Sequence, residues 1–235
     1  MNAWFDSIAA GMELSASARR DLELDGFVVL PGPVPAGKVS ALADAYDRAV
    51  LEAARSEDIS NGSATTRVND FVNRGEVFDP LYIHGPILEA CCCVIQEPFR
   101  LSTVHARTLR PHSPAQRIHV DFASDGAGWP MVGFILMIDD FLPINGATCF
   151  APGSQGLLEV PATPLALASG PAGSVIVFNG SVWHGHGANQ TANPRRSIQG
   201  AFIRRTEKPW VHWPARMRSE TLARITPLAK YLLAL

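Results

Sequence analysis

The clearest chemical pattern in the chain is the short run Gln116-Arg-Ile-His119-Val-Asp121. Alternate side chains of an extended strand share a face, so the pattern predicts that His119 and Asp121 project into one volume. An imidazole nitrogen and a carboxylate oxygen supply two of the three ligands of a 2-His-1-carboxylate facial triad, which leaves positions open on Fe(II). The third ligand must come from another part of the chain.

The best candidate for that third ligand is His184, which follows a predicted strand and a turn. His186 stands two residues later and would share a strand face with His184, so the two compete for the role. An isolated His-x-Asp arises often by chance, and a single histidine is more often structural. The interpretation therefore depends on the joint pattern with His184 and with the basic segment that follows it.

That basic segment is Arg195-Arg196-Ser197. A guanidinium offers a fixed fork that binds a carboxylate through two hydrogen bonds. Ser197 would share the strand face of Arg195 and could donate a further hydrogen bond to the same anion. Adjacent residues of a strand face opposite ways, so only one of Arg195 and Arg196 can serve.

The sequence predicts that the elements which position these residues are mainly β-strands with flanking helices, so the fold class is α+β. Glycine and proline number 19 and 18 among 235 residues, and this many breakers disfavours a helical bundle. The hydrophobic fraction of 47% supplies a sizeable core, which excludes disorder. Short apolar runs separated by turns are typical of a β sandwich or barrel. We predict strands over about 99–109, 116–121, 131–139, 147–150, 174–179, 182–187 and 197–205.

The flanking segments carry helical patterns, and the whole chain, 1–235, is predicted to be one domain. Residues 1–95 would form a helical layer and lid elements, 96–206 the β core, and 207–235 a C-terminal helical segment. Within the first part we predict helices near 14–22, 35–55 and 86–95, strands at 26–30 and 68–72, and a loop over 56–66.

Charge and cysteine usage limit the partners. The net charge is −2, so bulk electrostatics favour neither a nucleic acid nor a membrane surface as partner. The longest uninterrupted apolar run, 131–138, is far shorter than the ~20 residues of a membrane helix. Asp6 and Glu13, with no basic start, do not resemble a signal peptide. We expect buried, reduced cysteines at 91–93, no disulfide framework, and a cytoplasmic protein.

With these motifs in view, the sequence resembles the phytanoyl-CoA dioxygenase family of Fe(II)- and 2-oxoglutarate-dependent oxygenases. The resemblance covers residues ~20 to ~206. It rests on His119-Val-Asp121, on the run from Asn145 to Gln155, on His184-Gly, on Arg195-Arg-Ser197, and on Asp25-Gly-Phe-Val-Val-Leu30 before a helix.

The resemblance implies a double-stranded β-helix, a cupin-like jelly roll, with Fe(II) on His119, Asp121 and His184. It implies that 2-oxoglutarate and O2 are cosubstrates, with the distal carboxylate of 2-oxoglutarate on Arg195 and Ser197 assisting. Gln116 and Thr148 match positions that contact the cosubstrate in several relatives. Halogenating relatives replace the carboxylate ligand with a small residue, so the presence of Asp121 favours oxidation over halogenation.

The expected reaction is hydroxylation, or another oxidation, of a C–H bond in a small organic molecule, with release of succinate and CO2. The alternatives are a cupin-like metalloenzyme that does not use 2-oxoglutarate, and a non-catalytic binding protein that retains the barrel. The substrate and the oligomeric state are left open. The candidates for a pocket wall or lid are Arg67, Asn69, Phe71, Asn73, Phe122, Trp129, Trp210, His212 and Trp213, with ordinary packing as the alternative for each tryptophan.

Overall fold

The structure is a computed structural model that describes residues 3–124, 126 and 128–235. Its helices are α1 Ala3–Ala9, α2 Ala16–Leu24, α3 Val39–Ala53, α4 Asp79–Tyr82, α5 Gly85–Ile95, α6 Ser219–Arg224 and α7 Pro227–Leu232. Its strands are β1 Phe27–Pro31, β2 Ile59–Asn61, β3 Thr65–Val68, β4 Phe99–Leu109, β5 Met131–Met137, β6 Thr148–Phe150, β7 Ala166–Ala168, β8 Ser174–Asn179, β9 His184–His186 and β10 Arg195–Arg204. Short 3-10 turns occupy Ala36–Lys38, Phe71–Asn73, Glu76–Phe78 and Trp213–Ala215.

Two antiparallel sheets form the β core. The larger has seven strands in the order β1-β8-β5-β10-β4-β3-β2, and the smaller has the order β7-β6-β9. Five neighbouring pairs join strands that are distant in sequence, namely β1-β8, β8-β5, β5-β10, β10-β4 and β6-β9, which is the connectivity of a jelly roll. The predicted fold, a jelly-roll core with flanking helices, is therefore confirmed.

The N-terminal helices cover the outer face of the larger sheet and pack on it through apolar side chains. Helix α5 packs on β5, β8 and β10, and its residues from Ile87 to Cys92 are buried. Its Glu89 carboxylate accepts hydrogen bonds from the amides of Glu13 and Leu14 and from the guanidinium of Arg19. These bonds satisfy a buried carboxylate that would otherwise be costly, and they fasten the N-terminal segment to the helix.

The three consecutive cysteines lie on α5. Cys91 and Cys92 are buried free thiols, as expected, whereas Cys93 is half-buried and accepts a hydrogen bond from Arg19 at 3.0 Å. The stretch Glu76–Ile95 is long and apolar enough to cross a membrane by length and composition. Most of its apolar window is buried inside the protein, at 61%, which is the property of a core helix.

Three predictions about local structure were wrong. Residues 116–121 form no strand of a sheet and carry only a single bridge at His119. The predicted strand at 68–72 is instead the end of β3 followed by a 3-10 turn, and the predicted loop at 56–66 contains β2 and the start of β3. Tertiary pairing overrides local preference in both places: residues 65–68 pair with β4, and residues 59–61 in turn pair with β3.

Close approach within the larger sheet requires glycine at Gly200. A Cβ at this position of β10 would lie 2.2 Å from the Phe134 ring and 2.7 Å from the backbone oxygen of Thr103. We expect Gly200→Ala to lower the free energy of unfolding by about 1–3 kcal/mol through overpacking, measured by denaturant titration. Gly37→Ala is the control, because a Cβ there meets nothing within 4 Å. Equal stability of the two variants would contradict the strain assigned to Gly200.

Candidate functional site

Three side chains that could hold a metal converge at one end of the β core. One ligand atom from each of His119, Asp121 and His184 lies within 4.8 Å of the others. The Nε2 atoms of His119 and His184 are 3.4 and 3.6 Å from the two carboxylate oxygens of Asp121. Metal–ligand bonds of about 2.1 Å place neighbouring donors roughly 3 Å apart, so the three donors are close to the spacing of one metal ion.

Reciprocal backbone hydrogen bonds hold this cluster together across a long stretch of sequence. His119 and His184 form an isolated bridge in which each amide donates to the carbonyl of the other, at 3.0 and 2.9 Å. The Asp121 amide donates to the Gly180 carbonyl at 2.9 Å. A Cβ at Gly185 would lie 3.2–3.4 Å from Ile118 and the carbonyls beside it, so this glycine permits the segment to approach β9 closely.

Both histidines have their ring orientation fixed by backbone carbonyls. Nδ1 of His119 bonds the Arg117 carbonyl at 3.1 Å, and Nδ1 of His184 bonds the Val182 carbonyl at 2.9 Å. In the singly protonated ring, a hydrogen on Nδ1 leaves the Nε2 lone pair free to bind a metal, which is the arrangement of a metal-ligating histidine.

The electrostatics of the cluster favour an ionised carboxylate. Burial raises the pKa of Asp121, but the hydrogen bond from His119 and the nearby His184 outweigh it and hold that pKa below its ordinary value. The hydrogen bond to Asp121 raises the pKa of His119, whereas burial lowers the pKa of His184. The anion thus stabilises positive charge in the same small volume, whether that charge is a proton or a metal ion.

His186, the competing ligand, also lies in the site region but outside the cluster. Its Nδ1 bonds the Gly187 carbonyl at 2.9 Å, and burial lowers its pKa to about 4. Among the residues that the structure describes, the cluster of possible metal ligands consists of His119, Asp121 and His184 without His186.

The Arg195 guanidinium lies buried in the same cavity with no acid beside it. Arg195 is only 1% exposed, its Nε and Nη1 have no hydrogen-bond partner in the described part of the chain, and its guanidinium carbon lies 4.1 Å from the Phe141 ring centre. Burial lowers its pKa to about 9. A buried cation whose donors have no partner among the described residues is suited to bind an anionic ligand.

Arg196 faces the opposite way, as the alternation along a strand requires. Its guanidinium contacts Asp139 and Asp47 at 2.6 and 2.7 Å, and its amide donates to Asp139 at 2.6 Å. Of the two adjacent arginines, only Arg195 is available to an anion in the cavity.

The remaining predicted cosubstrate residues differ in placement. Gln116 and Thr148 line the cavity; Gln116 Oε1 accepts a weak hydrogen bond from Arg107 at 3.4 Å. Ser197 is buried, is absent from the described cavity lining, and donates its hydroxyl to the Arg107 carbonyl at 3.1 Å. Its predicted role beside Arg195 remains a prediction.

The cavity between the sheets has a volume of about 640 Å³, within the range of small-molecule sites. Arg67, Asn69, Phe122 and Trp210 line it, so these candidates for a pocket wall lie where the sequence analysis placed them. Phe71, Asn73, Trp129, His212 and Trp213 do not line it; Trp213 is a core residue that donates to the Leu101 carbonyl.

Several lining residues were not singled out by the sequence analysis as site residues. They are Ser102, Thr103, Arg107, Gln199 and Lys208. The alternation of β4 was the available signal, because Thr103, His105 and Arg107 share one strand face.

With this geometry in place, the chain can be compared with known proteins. The model of the phytanoyl-CoA dioxygenase (PhyH) family matches residues 22–197. The chain belongs to the phytanoyl-CoA dioxygenase family. The match includes both strands that bear His184 and Arg195, and the segment with His119 and Asp121.

Named relatives are dioxygenases of fungi. Dioxygenase trt7 of Aspergillus terreus is 30% identical over 190 residues, which cover 72% of this chain and 64% of trt7. The chain thus spans less than two thirds of the length of trt7. The same holds for dioxygenase FrzG of Cladobotryum, of which the match covers 62%. Multifunctional dioxygenase prhA of Penicillium brasilianum is 27% identical, covering 87% of this chain and 76% of prhA.

Solved structures share the fold. The epimerase SnoN, in complex with Fe3+, alpha ketoglutarate and nogalamycin RO, superposes with a TM-score of 0.67 at 22% identity, covering 81% of this chain and 83% of SnoN. HygX of Streptomyces hygroscopicus, with nickel and 2-oxoglutarate bound, gives 0.68 at 19% identity, covering 84% and 90%. At these identities the similarity establishes the jelly-roll architecture.

The two neighbouring histidines of β9 can be distinguished by metal binding. We expect His184→Ala to lose tight Fe(II) binding, by tenfold or more (about 1.4 kcal/mol or more), whereas His186→Ala should retain it. Calorimetric titration of each purified variant with Fe(II) under argon measures this directly. Retention of iron by His184→Ala, with loss in His186→Ala, would reverse the assignment.

Proposed function

We propose that this protein is an Fe(II)- and 2-oxoglutarate-dependent dioxygenase that oxidises a C–H bond of a small organic molecule. The observation that carries the proposal is the presence, in one cavity, of a His-Asp-His cluster and a buried arginine with orphaned donors. The first fits a metal that needs open coordination positions, and the second fits a carboxylate that arrives with a ligand.

The donor set suits iron. His119, Asp121 and His184 supply two imidazole nitrogens and one carboxylate, the ligand combination of non-haem Fe(II) oxygenases. His184 is 6% exposed and anchors the buried side of the site, while His119 and Asp121 lie at its solvent side. All three residues line the cavity, so other ligands could reach a metal held there from the cavity.

The cavity also suits 2-oxoglutarate. Arg195 would bind the distal carboxylate, since its Nε and Nη1 have no other partner among the described residues. Gln116 and Thr148 lie in the same lining and offer an amide and a hydroxyl. When bound, iron and 2-oxoglutarate together activate O2, with conversion of the cosubstrate to succinate and CO2 and oxidation of the substrate.

The chain's own contribution is to position the ligands and to exclude water from the site. Phe141 covers the Arg195 guanidinium and Phe150 and Phe178 pack beside the His184 ring, at 5.4 and 4.7 Å between ring centres. Apolar walls of this kind lower the local dielectric, which strengthens the pairing of Arg195 with a carboxylate. Holding a substrate bond in one orientation is the protein's main means of directing the oxidation.

The relatives support the same activity. Those named above are dioxygenases, and the fold neighbours SnoN and HygX were solved with metal and 2-oxoglutarate, in SnoN together with nogalamycin RO. HygX has also been solved with hygromycin B. A small-molecule substrate for this chain is therefore part of the proposal.

Anaerobic loading tests the proposal directly. Fe(II) and 2-oxoglutarate added together to the wild-type protein should give a visible charge-transfer band, which His119→Ala and Asp121→Ala should abolish. Arg195→Ala should weaken 2-oxoglutarate binding by about 10–100-fold, because a charge-assisted pair is lost, while Fe(II) affinity stays within about threefold. Spectral titration measures the first affinity and calorimetry the second.

Arg196→Gln is the matched control, since Arg196 is the neighbouring arginine and faces away from the cavity. If iron binds but 2-oxoglutarate gives no band and no succinate, the protein is a metalloenzyme that does not use this cosubstrate. If iron does not bind, a non-catalytic binding protein is favoured instead.

A further inference from the structure

Two further arginines meet inside the cavity. In the antiparallel pairing of β3 with β4, Arg67 lies directly opposite Arg107, and both line the cavity. Like charges directly opposite on neighbouring strands are destabilising. The chain therefore maintains a repulsive pair in its site region, and a repulsion of this kind is relieved by an anion.

Outside the metal cluster, no residue that the structure describes supplies such an anion. Arg107 reaches only the side-chain oxygens of Gln116 and Gln199, both at 3.4 Å, and its Nε is buried without a partner. Arg67 makes no side-chain hydrogen bond or ion pair with any residue that the structure describes. Among the described lining residues the only acid is Asp121, which belongs to the metal cluster.

The cosubstrate accounts for only part of this charge. The distal carboxylate of 2-oxoglutarate would pair with Arg195, and its other carboxylate would be held at the metal site. Even if one of Arg67 and Arg107 neutralises that second carboxylate, the other guanidinium still lacks a counter-charge. Lys208, exposed at the edge of the cavity, adds a further positive charge that draws anions toward the cavity.

Beside the pair lies an uncharged polar group that is also without a partner. His105 is 8% exposed, and its Nε2 is buried with no hydrogen-bond partner among the described residues. Burial, with Arg67 and Arg107 nearby, lowers its pKa to about 3, so the imidazole is neutral near pH 7. A neutral imidazole at this place can hydrogen-bond a ligand without adding to the repulsion.

We propose that the primary substrate is an organic anion, a carboxylic acid, whose carboxylate binds at the Arg67–Arg107 pair. The inference rests on the proposed oxygenase function and adds the substrate class to it. An apolar part of the cavity wall fits a hydrocarbon body. Its apolar residues are Phe122, Met131, Phe134, Ile135, Phe178, Ala201 and Ile203.

The test compares acids with their neutral forms. The protein is first loaded with Fe(II) and 2-oxoglutarate, and the charge-transfer band confirms loading. Matched pairs of aryl, alicyclic and alkyl carboxylic acids and their methyl esters are then screened by the rise in Tm and by stimulated succinate release. We expect the responses to come from the acids, with a preference of about tenfold or more in affinity over the esters.

Two variants then locate the anion site. Arg67→Gln and Arg107→Gln remove one positive charge each, and Arg48→Gln, on the exposed surface of α3, is the charge-matched control. At least one cavity variant should lose the preference for acids about tenfold while its 2-oxoglutarate affinity changes less than about threefold. Because each substitution relieves the repulsion between Arg67 and Arg107, the ligand-free variants should be at least as stable as the wild type. A measurement of their Tm therefore serves as the folding control.

Three results would overturn the proposal. They are a loaded wild-type protein that responds to no acid, one that responds equally to acids and esters, and cavity variants whose only defect is weaker 2-oxoglutarate binding. The last result would assign both guanidiniums to the cosubstrate. A failure to load iron and 2-oxoglutarate at the first step would instead count against the oxygenase function itself, so the two failures are distinguishable.

Discussion

The site depends on one pair of reciprocal backbone hydrogen bonds, those between His119 and His184. They join a segment with no sheet pairing of its own to the edge of the smaller sheet, across 65 residues of sequence. Because the bonds are made by the backbone, they set the separation of the two rings independently of what the rings bind. Carbonyl groups on both sides then orient each imidazole, so that the Nε2 atoms and Asp121 face the same point.

Around this cluster, the cavity keeps positive charge where an average protein interior would avoid it. Arg195 is fully buried against an aromatic ring, and Arg107 has a guanidinium nitrogen with no partner. Outward-facing Arg196, by contrast, is fully paired with Asp139 and Asp47. Within one strand, the outward-facing arginine thus has two acidic partners, whereas Asp121 is the only acid among the described residues that line the cavity. Buried charges without a counter-ion are typical of functional sites, where a bound ligand supplies the opposite charge.

Sequence reasoning singled out the cluster residues and Arg195, which the structure brings into one cavity, because each sits in a short motif with a defined chemical role. It also identified the β core from the turns between short apolar runs. It failed where structure depends on partners distant in sequence. Residues 59–61 are only a short Ile-Ser-Asn run, yet they pair with β3 at the edge of the larger sheet. Arg107 is one arginine among many in the sequence and acquires meaning only through the register that places it opposite Arg67. Register is a tertiary property that no local pattern encodes.

The segment bearing His119 and Asp121 is attached by isolated bridges, at Ser113 to Asn189 and at His119 to His184, and by single backbone hydrogen bonds such as those from Gln116 to His186 and from Asp121 to Gly180, rather than by a continuous ladder. Such a segment is a natural unit of local unfolding: it can detach while the seven-stranded sheet stays intact, and its amides would then exchange with solvent first. Any ion held by both halves of the cluster must be released before that opening. At a concentration of 100 times its Kd, an ion adds about 2.7 kcal/mol to the cost of opening. Metal loading would thereby govern how long this strip of chain resists proteases, as well as what the site can oxidise.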